Sequence, residues 1–179
     1  MDHARQIQNI ALIGFIGTGK SSVSQLLAAT MHFSFLDTDH AIETRAGKSI
    51  NDIFAQDGEP AFREWERIVV QELTQRKATI LSTGGGLGAN EANLTSLKTH
   101  SLVVCLWSAP EKIWERVRHQ THRPLLHGPD PLAKIRNLLA ARAPFYRQAD
   151  VLVNTDLRSV REVVQQVIHQ FQLARQDRP

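Results

Sequence analysis

The sequence holds 179 residues, of which 42% are hydrophobic and 22% charged, and its formal net charge is +3. That length and balance fit one compact domain over residues 1–179 with core enough to fold without disulfides or structural metal. They exclude a disordered chain, and no apolar run approaches the ~18 residues that cross a bilayer. The basic residues form no block and do not alternate with aromatics. Mild basicity therefore fits a cleft for phosphates and an acidic second substrate better than a nucleic-acid surface. Residues 1–9 are polar and lack a secretory apolar core, so a cytoplasmic location without membrane partners is expected. The single cysteine, Cys105, lies in an apolar run and reads as a buried structural thiol.

In chain order, residues 10–13 form the first predicted strand. A glycine-rich loop follows, and then a helix carrying Val23, Leu26 and Leu27 at helical spacing. Residues 33–36 form a second strand. The long segment after it is helical, with Phe62, Val69 and Leu73 on one face and Pro60 placed as a helix starter. Residues 79–81 and 102–107 are the third and fourth strands, and the latter leads to a helix with Ile113, Trp114 and Val117. Residues 151–153 are the fifth strand. In the last helix Val160, Val163, Val164, Val167, Ile168 and Phe171 make one stripe, read as core. Several strands are near-continuous apolar runs, as parallel strands covered on both faces require. The pattern predicts an α/β fold with an open parallel sheet, helices on both faces, and ligands beyond the carboxyl ends of the strands. No strong oligomer interface is visible, and a monomer is expected.

The loop at residues 14–21 matches G-x-x-x-x-G-K-[ST] in full, with Gly14, Gly19, Lys20 and Ser21 at the fixed positions. A strand precedes it and an amphipathic helix follows, the context in which this motif cradles a nucleoside triphosphate. Glycines let backbone N–H groups curl around phosphate oxygens, and the helix points its positive end at them. Lys20 can reach the β- and γ-phosphates, and the Ser21 hydroxyl can ligate Mg²⁺.

The loop alone names no acceptor. Asp37-Thr38-Asp39 closes the second predicted strand, where residues i and i+2 project to one side. One carboxylate could serve the metal through water and the other could take a proton from an attacking hydroxyl; a solvated turn fits equally. Arg63 and Glu66 are neighbours on a helix surface. Spacing alone favours an exposed ion pair over an arginine fork aimed into a cleft. Gly84, Gly85 and Gly86 form either a ligand-hugging turn or a plain flexible one. Arg116, Arg118 and Arg123, in a segment of low apolar content after a helix, suit a mobile lid or a solvated loop. His119, His122 and His127 lie there without a metal-like spacing and read as exposed. Arg142, on the helix before the last strand, fits surface or cleft. Asn93-Leu94-Thr95 matches a glycosylation sequon, treated as coincidence in a chain without an export signal.

Together the stretches GFIGTGKSS (14–22), LDTD (36–39), SINDIFAQDGEPAFREWE (49–66), STGGG (82–86), RPLL (123–126) and RAPFY (142–146) resemble the shikimate kinase family over nearly the whole chain. That resemblance implies a three-layer P-loop kinase fold with a five-stranded parallel sheet in order 2-3-1-4-5, helices on both faces, a substrate-binding helical region near residues 37–66 and a lid near 116–128. It implies transfer of the γ-phosphate of ATP to the 3-hydroxyl of shikimate, with Mg²⁺ as cofactor. Gly17, Thr18, Gly19, Lys20, Ser21 and Ser22 would hold ATP, with Arg116 against adenine and Arg123 arriving with the lid. Ser21 would ligate the metal directly and Asp37 through water. Asp39 would bind the acceptor hydroxyls and act as base, and Lys20, Asp39 and Arg123 would form the catalytic set. Arg63 and Arg142 would clamp the shikimate carboxylate, with Glu66 orienting Arg63. Gly84, Gly85 and Gly86 would line the ring. The rivals are a gluconate or nucleoside monophosphate kinase of the same broad fold, and a non-catalytic NTP-binding module.

Overall fold

The computed structural model describes residues 5–120 and 129–176. Five strands form one sheet: β1 (Asn9–Ile13), β2 (Ser34–Asp37), β3 (Thr79–Ser82), β4 (Ser101–Trp107) and β5 (Val151–Asn154). Their order is β2-β3-β1-β4-β5 and every pairing is parallel. All five predicted strands are present, each within a residue or so of its expected ends. β1 is central and wholly buried, which is why its sequence shows no polar alternation.

The pleat of β1 divides the core. Ile10 and Leu12 pack with Val23 and Leu27 of helix α1 (Lys20–Met31) and with Val163, Val164, Val167 and Phe171 of helix α8 (Val160–Gln176). The last helical stripe is thus core, except that Val160 at its start is exposed. Ala11 and Ile13 face the other side. There they join Val70 and Leu73 of α4 (Gly58–Leu73), Leu94 and Leu97 of α5 (Glu91–His100), Ile113 and Val117 of α6 (Pro110–Val117), and Ile135 and Tyr146 of α7 (Pro131–Tyr146). Cys105 is fully buried there, and burial pushes its thiol up to about 12, so it is an inert core group. Asn93 lies buried on α5, with its backbone N–H donating to Asn90 Oδ1 (3.0 Å), so the sequon asparagine is not displayed on the folded surface.

A third, smaller core belongs to the helical insertion after β2. It packs Ala41 and Ile42 of α2 (Thr38–Ala46) against Ile53 and against Phe62 and Val69 of α4. Between them run a short helical turn, α3 (Ile50–Asp52), and a π-helical turn over Ile53–Asp57 that ends at Gly58. Such wide turns are rare and often mark functional surfaces. Among the described residues, no helix is long and apolar enough to cross a membrane.

Candidate active site

The carboxyl ends of β1, β2 and β3 open onto two adjoining cavities. The smaller, of about 220 Å³, is lined by Gly17, Gly19, Lys20, Ser21 and Ser22 of the loop and by Asp37 and Asp39. The larger, of about 560 Å³, is walled by Arg63, Glu66 and Glu59 of α4, Phe54 of the π turn, Arg142 of α7 and the triple-glycine turn. Ile16, Asp39, Gly84 and Gly85 border both.

The loop is self-supported. Lys20 is buried, and its Nζ donates to the Gly14 and Phe15 carbonyls, each at 2.8 Å. The Thr18 hydroxyl is also buried and donates to Phe15 O at 2.8 Å, so this residue faces away from the cavity and has only its backbone to offer a phosphate. Gly19, in a left-handed conformation, is the N-cap of α1, which aims the helix end at the cavity.

The D-T-D segment differs from its expected geometry. β2 ends at Asp37 and helix α2 begins at Thr38, so the two carboxylates are not i and i+2 on a strand. Asp37 is instead the N-cap of α2: its Oδ1 accepts from the N–H of Asp39 (3.0 Å) and of His40 (3.2 Å). The turn reading is realised, and the cap places Asp39 on the wall of both cavities. Asp39 Oδ1 is buried without a hydrogen-bond partner among the described residues. Burial first, then the negative charges of Asp37 and Glu66, raise its carboxyl to about 6, against the pull of Lys20. A carboxylate poised near neutrality beside a phosphate cradle is suited to accept a proton.

The exposed-pair reading of Arg63 and Glu66 is overturned. Arg63 Nη1 meets Glu66 Oε2 at 2.7 Å with the Glu66 side chain only 1% exposed, while Nη2 meets Glu59 Oε1 at 2.8 Å. Two carboxylates therefore hold the guanidinium against the cleft wall. The triple glycine is a close-approach turn. A Cβ on Gly84 would stand 2.4 Å from Asp39 Oδ1, and one on Gly86 2.9 Å from Arg63 Nη1. Any side chain there would displace the groups that define the site. The buried Thr38 hydroxyl accepts from Gly84 N–H at 3.0 Å and fixes that turn to α2.

Arg142 lies in the cleft, not on the open surface. Its Nη1 donates to Gly85 O at 2.9 Å, and its guanidinium sits 5.3 Å over the Phe15 ring. Arg116 belongs to helix α6 itself, not to a loop after it. It ties Gly17 O (3.2 Å) to Thr155 O (2.8 Å) and Thr155 Oγ1 (3.0 Å), bridging the phosphate loop and the turn after β5. Asp156 holds that turn by accepting from Ser108 and from Ala109 N–H. Arg123, with the rest of the RPLL stretch, lies outside the described residues.

Three contributors escaped sequence reasoning: Glu59, Thr38 and Tyr146. Glu59 stands four before Arg63 and Tyr146 four after Arg142, so i,i+4 spacing on the same helix was the available signal. Tyr146 is buried and donates to Gly85 O at 2.9 Å; burial pushes its phenol up to about 12, although Arg142 pulls the other way. The chain has one tyrosine, so an ultraviolet titration reads this group alone. Tyrosinate absorbance is expected to be absent through the ordinary pKa of 10 and to rise at about 12. A midpoint near 10 would place the phenol in water.

A parallel sheet in this order, a phosphate loop between β1 and α1, and an acid shared by the loop-lined cavity and the arginine-walled cleft define a P-loop small-molecule kinase. The shikimate kinase family model matches residues 16–172. A shikimate kinase of Caldanaerobacter subterraneus is 38% identical over 92% of this chain and 96% of its own length. The structure of shikimate kinase from Acinetobacter baumannii in complex with shikimate superposes with a TM-score of 0.87 at 37% identity, covering 97% of each chain. A gluconokinase from Sinorhizobium meliloti is similar in fold alone, with a TM-score of 0.62 at 18% identity. The chain belongs to the shikimate kinase family.

Proposed function

We infer that this chain transfers the γ-phosphoryl group of ATP to the 3-hydroxyl of shikimate, releasing ADP and shikimate 3-phosphate on the way to chorismate and the aromatic amino acids. The observation that carries the reading is Asp39, on the wall common to the phosphate cavity and the arginine-walled cleft. Gly17, Gly19, Lys20, Ser21 and Ser22, with the backbone of Thr18, hold the triphosphate, and Arg116 supports the adenine end. Asp39 accepts the proton of the 3-hydroxyl as its oxygen bonds to the γ-phosphorus and the bond to the ADP oxygen breaks. Lys20 and Arg123 offset charge on the transferring group. Arg63 and Arg142 receive the acceptor carboxylate, and Gly84, Gly85 and Gly86 border its ring.

The donors present fit a hard divalent cation. Ser21 and Asp37 both line the small cavity, and Asp37 uses Oδ1 for its cap while Oδ2 makes no hydrogen bond with the described residues. Among the described residues no group of three or more His, Cys, Asp or Glu side chains could hold a metal unaided. Mg²⁺ would thus be held by Ser21, by Asp37 through water and by phosphate oxygens, and would neutralise charge on the β- and γ-phosphates. We further propose a monomer acting in the cytoplasm.

Two arginines lining the acceptor cleft favour a carboxylated acceptor over a nucleoside monophosphate, and the relatives favour shikimate over gluconate. A coupled ADP-release assay offering shikimate, gluconate and nucleoside monophosphates is expected to respond to shikimate. ADP release no faster with shikimate than without acceptor would overturn the assignment.

A further inference from the structure

Gly85 sits where the two cavities meet, and its carbonyl is doubly held. Tyr146 Oη and Arg142 Nη1 both donate to it, each at 2.9 Å. A carbonyl oxygen has two lone pairs, so helix α7 fills both. The peptide that follows is trans, and in a trans peptide the C=O and the next N–H point in opposite directions. Anchoring the Gly85 carbonyl to α7 therefore turns the Gly86 N–H away from that helix. That N–H donates to none of the described residues, and Gly86 lines the acceptor cleft.

The two donors are not equivalent. Tyr146 is buried, 7% exposed, and its phenol is locked among core residues of the α7 face. Arg142 lines the cleft, and its positive charge acts on Glu66 across it. If Arg142 turns to an acceptor carboxylate, the Gly85 carbonyl loses one of its partners. Without a second, a part-buried acceptor would be orphaned and Arg142 would be held back from the ligand.

We propose that Tyr146 is a positioning residue for the acceptor: its hydroxyl keeps the Gly85 carbonyl satisfied, so that the Gly86 N–H stays presented to the cleft while Arg142 is released to the acceptor carboxylate. Tyr146 touches no substrate in this scheme and acts through Gly85 and Arg142. Tyr146 itself lines neither cavity, but the two groups it positions, Gly86 and Arg142, line the acceptor cleft and not the phosphate cavity, so its effect belongs to the acceptor. The inference rests on the acceptor reading above.

Tyr146→Phe removes the hydroxyl and keeps the ring. Steady-state kinetics are expected to show the KM for shikimate raised about 5- to 10-fold, the scale of one net hydrogen bond. The KM for ATP and kcat should stay within about twofold. A shikimate KM within twofold of wild type, or a parallel rise in both KM values, overturns the inference, the second because it reports general loosening. Wild-type enzyme is assayed alongside; its failure to use shikimate would sink the proposed function and this step with it, whereas an unchanged KM in the variant sinks this step alone. Should the variant not fold, the wild-type chain suffices, because Tyr146 is its one tyrosine. Biosynthetic 3-fluorotyrosine then gives a single ¹⁹F resonance. That resonance is expected to move on titration with shikimate alone as Arg142 leaves the shared carbonyl, and a resonance unmoved at saturating shikimate overturns the proposal.

Discussion

Asp39→Asn is expected to lower kcat with shikimate by about 10²- to 10³-fold, the lower part of the range for a lost general base, because phosphoryl transfer is loose and little proton movement is needed early. Asparagine keeps the shape and can still hydrogen-bond an acceptor hydroxyl, so the KM for shikimate should change far less than kcat. The wild-type enzyme should show an acid limb in kcat/KM with an apparent pKa of about 6, where the buried Asp39 carboxyl takes up its proton, and the variant should lack that limb. Stability should move the opposite way. A folded pKa of about 6 against an unfolded value of 3.8 means that the native state binds the extra proton between those pH values. Wild-type stability therefore falls as pH rises from about 4 to 6, by roughly 3 kcal/mol at 1.36 kcal/mol per unit. Above pH 6 Asp39→Asn should be the more stable protein in a denaturant melt, and below pH 4 the two should converge. Undiminished kcat in the variant would remove Asp39 from the chemistry.

Much of the fold could be read in advance because it depends on local pattern. Buried parallel strands must be near-continuous in apolar residues, and the run from Leu102 to Leu106 or the stripe Val163, Val164, Val167 and Phe171 has no other economical use. The phosphate loop was equally legible, since its function lies in backbone geometry that the glycines permit and in one lysine at fixed spacing. What could not be read was burial of polar groups. Spacing makes Arg63 and Glu66 neighbours, but whether they meet water depends on the 84–86 turn, twenty residues away, closing over them. The same holds for Asp37 and Asp39. Whether β2 runs on or a helix starts at Thr38 is decided by the Asp37 cap, and only the helix puts Asp39 on the wall between the cavities. The π turn over Ile53–Asp57 follows no apolar period at all. Tyr146 has no role legible in the sequence, because a tyrosine at the end of a helix reads as core, and it is core; its hydroxyl reaches the site from behind.

Arg63→Ala tests the acceptor side and separates binding from stability. The Arg63 side chain is 34% exposed, yet its partner is the Glu66 side chain, which is 1% exposed. Loss of a charge-assisted fork to a substrate carboxylate costs about 2 kcal/mol or more, so the KM for shikimate should rise about 30-fold or beyond, with the KM for ATP little changed. Removal of Arg63 also strands Glu66, whose carboxyl burial already pushes its pKa up against the pull of Arg63 and Arg142. An uncompensated buried charge is destabilising by ~3 kcal/mol, less here because water already reaches Arg63, so a loss of about 1–2 kcal/mol is expected near pH 8. That loss should shrink on acidification, because a protonated Glu66 no longer needs the guanidinium. The double variant Arg63→Ala/Glu66→Gln isolates the two effects. Glutamine carries no charge to strand, so the melt should recover toward wild type while the shikimate KM stays high. Arg63→Lys should keep stability better than alanine yet still bind shikimate weakly, since an ammonium cannot offer the planar fork. If Arg63→Ala left the shikimate KM within threefold of wild type, the Arg63–Glu66–Glu59 cluster would be a strut of α4 and the acceptor carboxylate would belong to Arg142 alone.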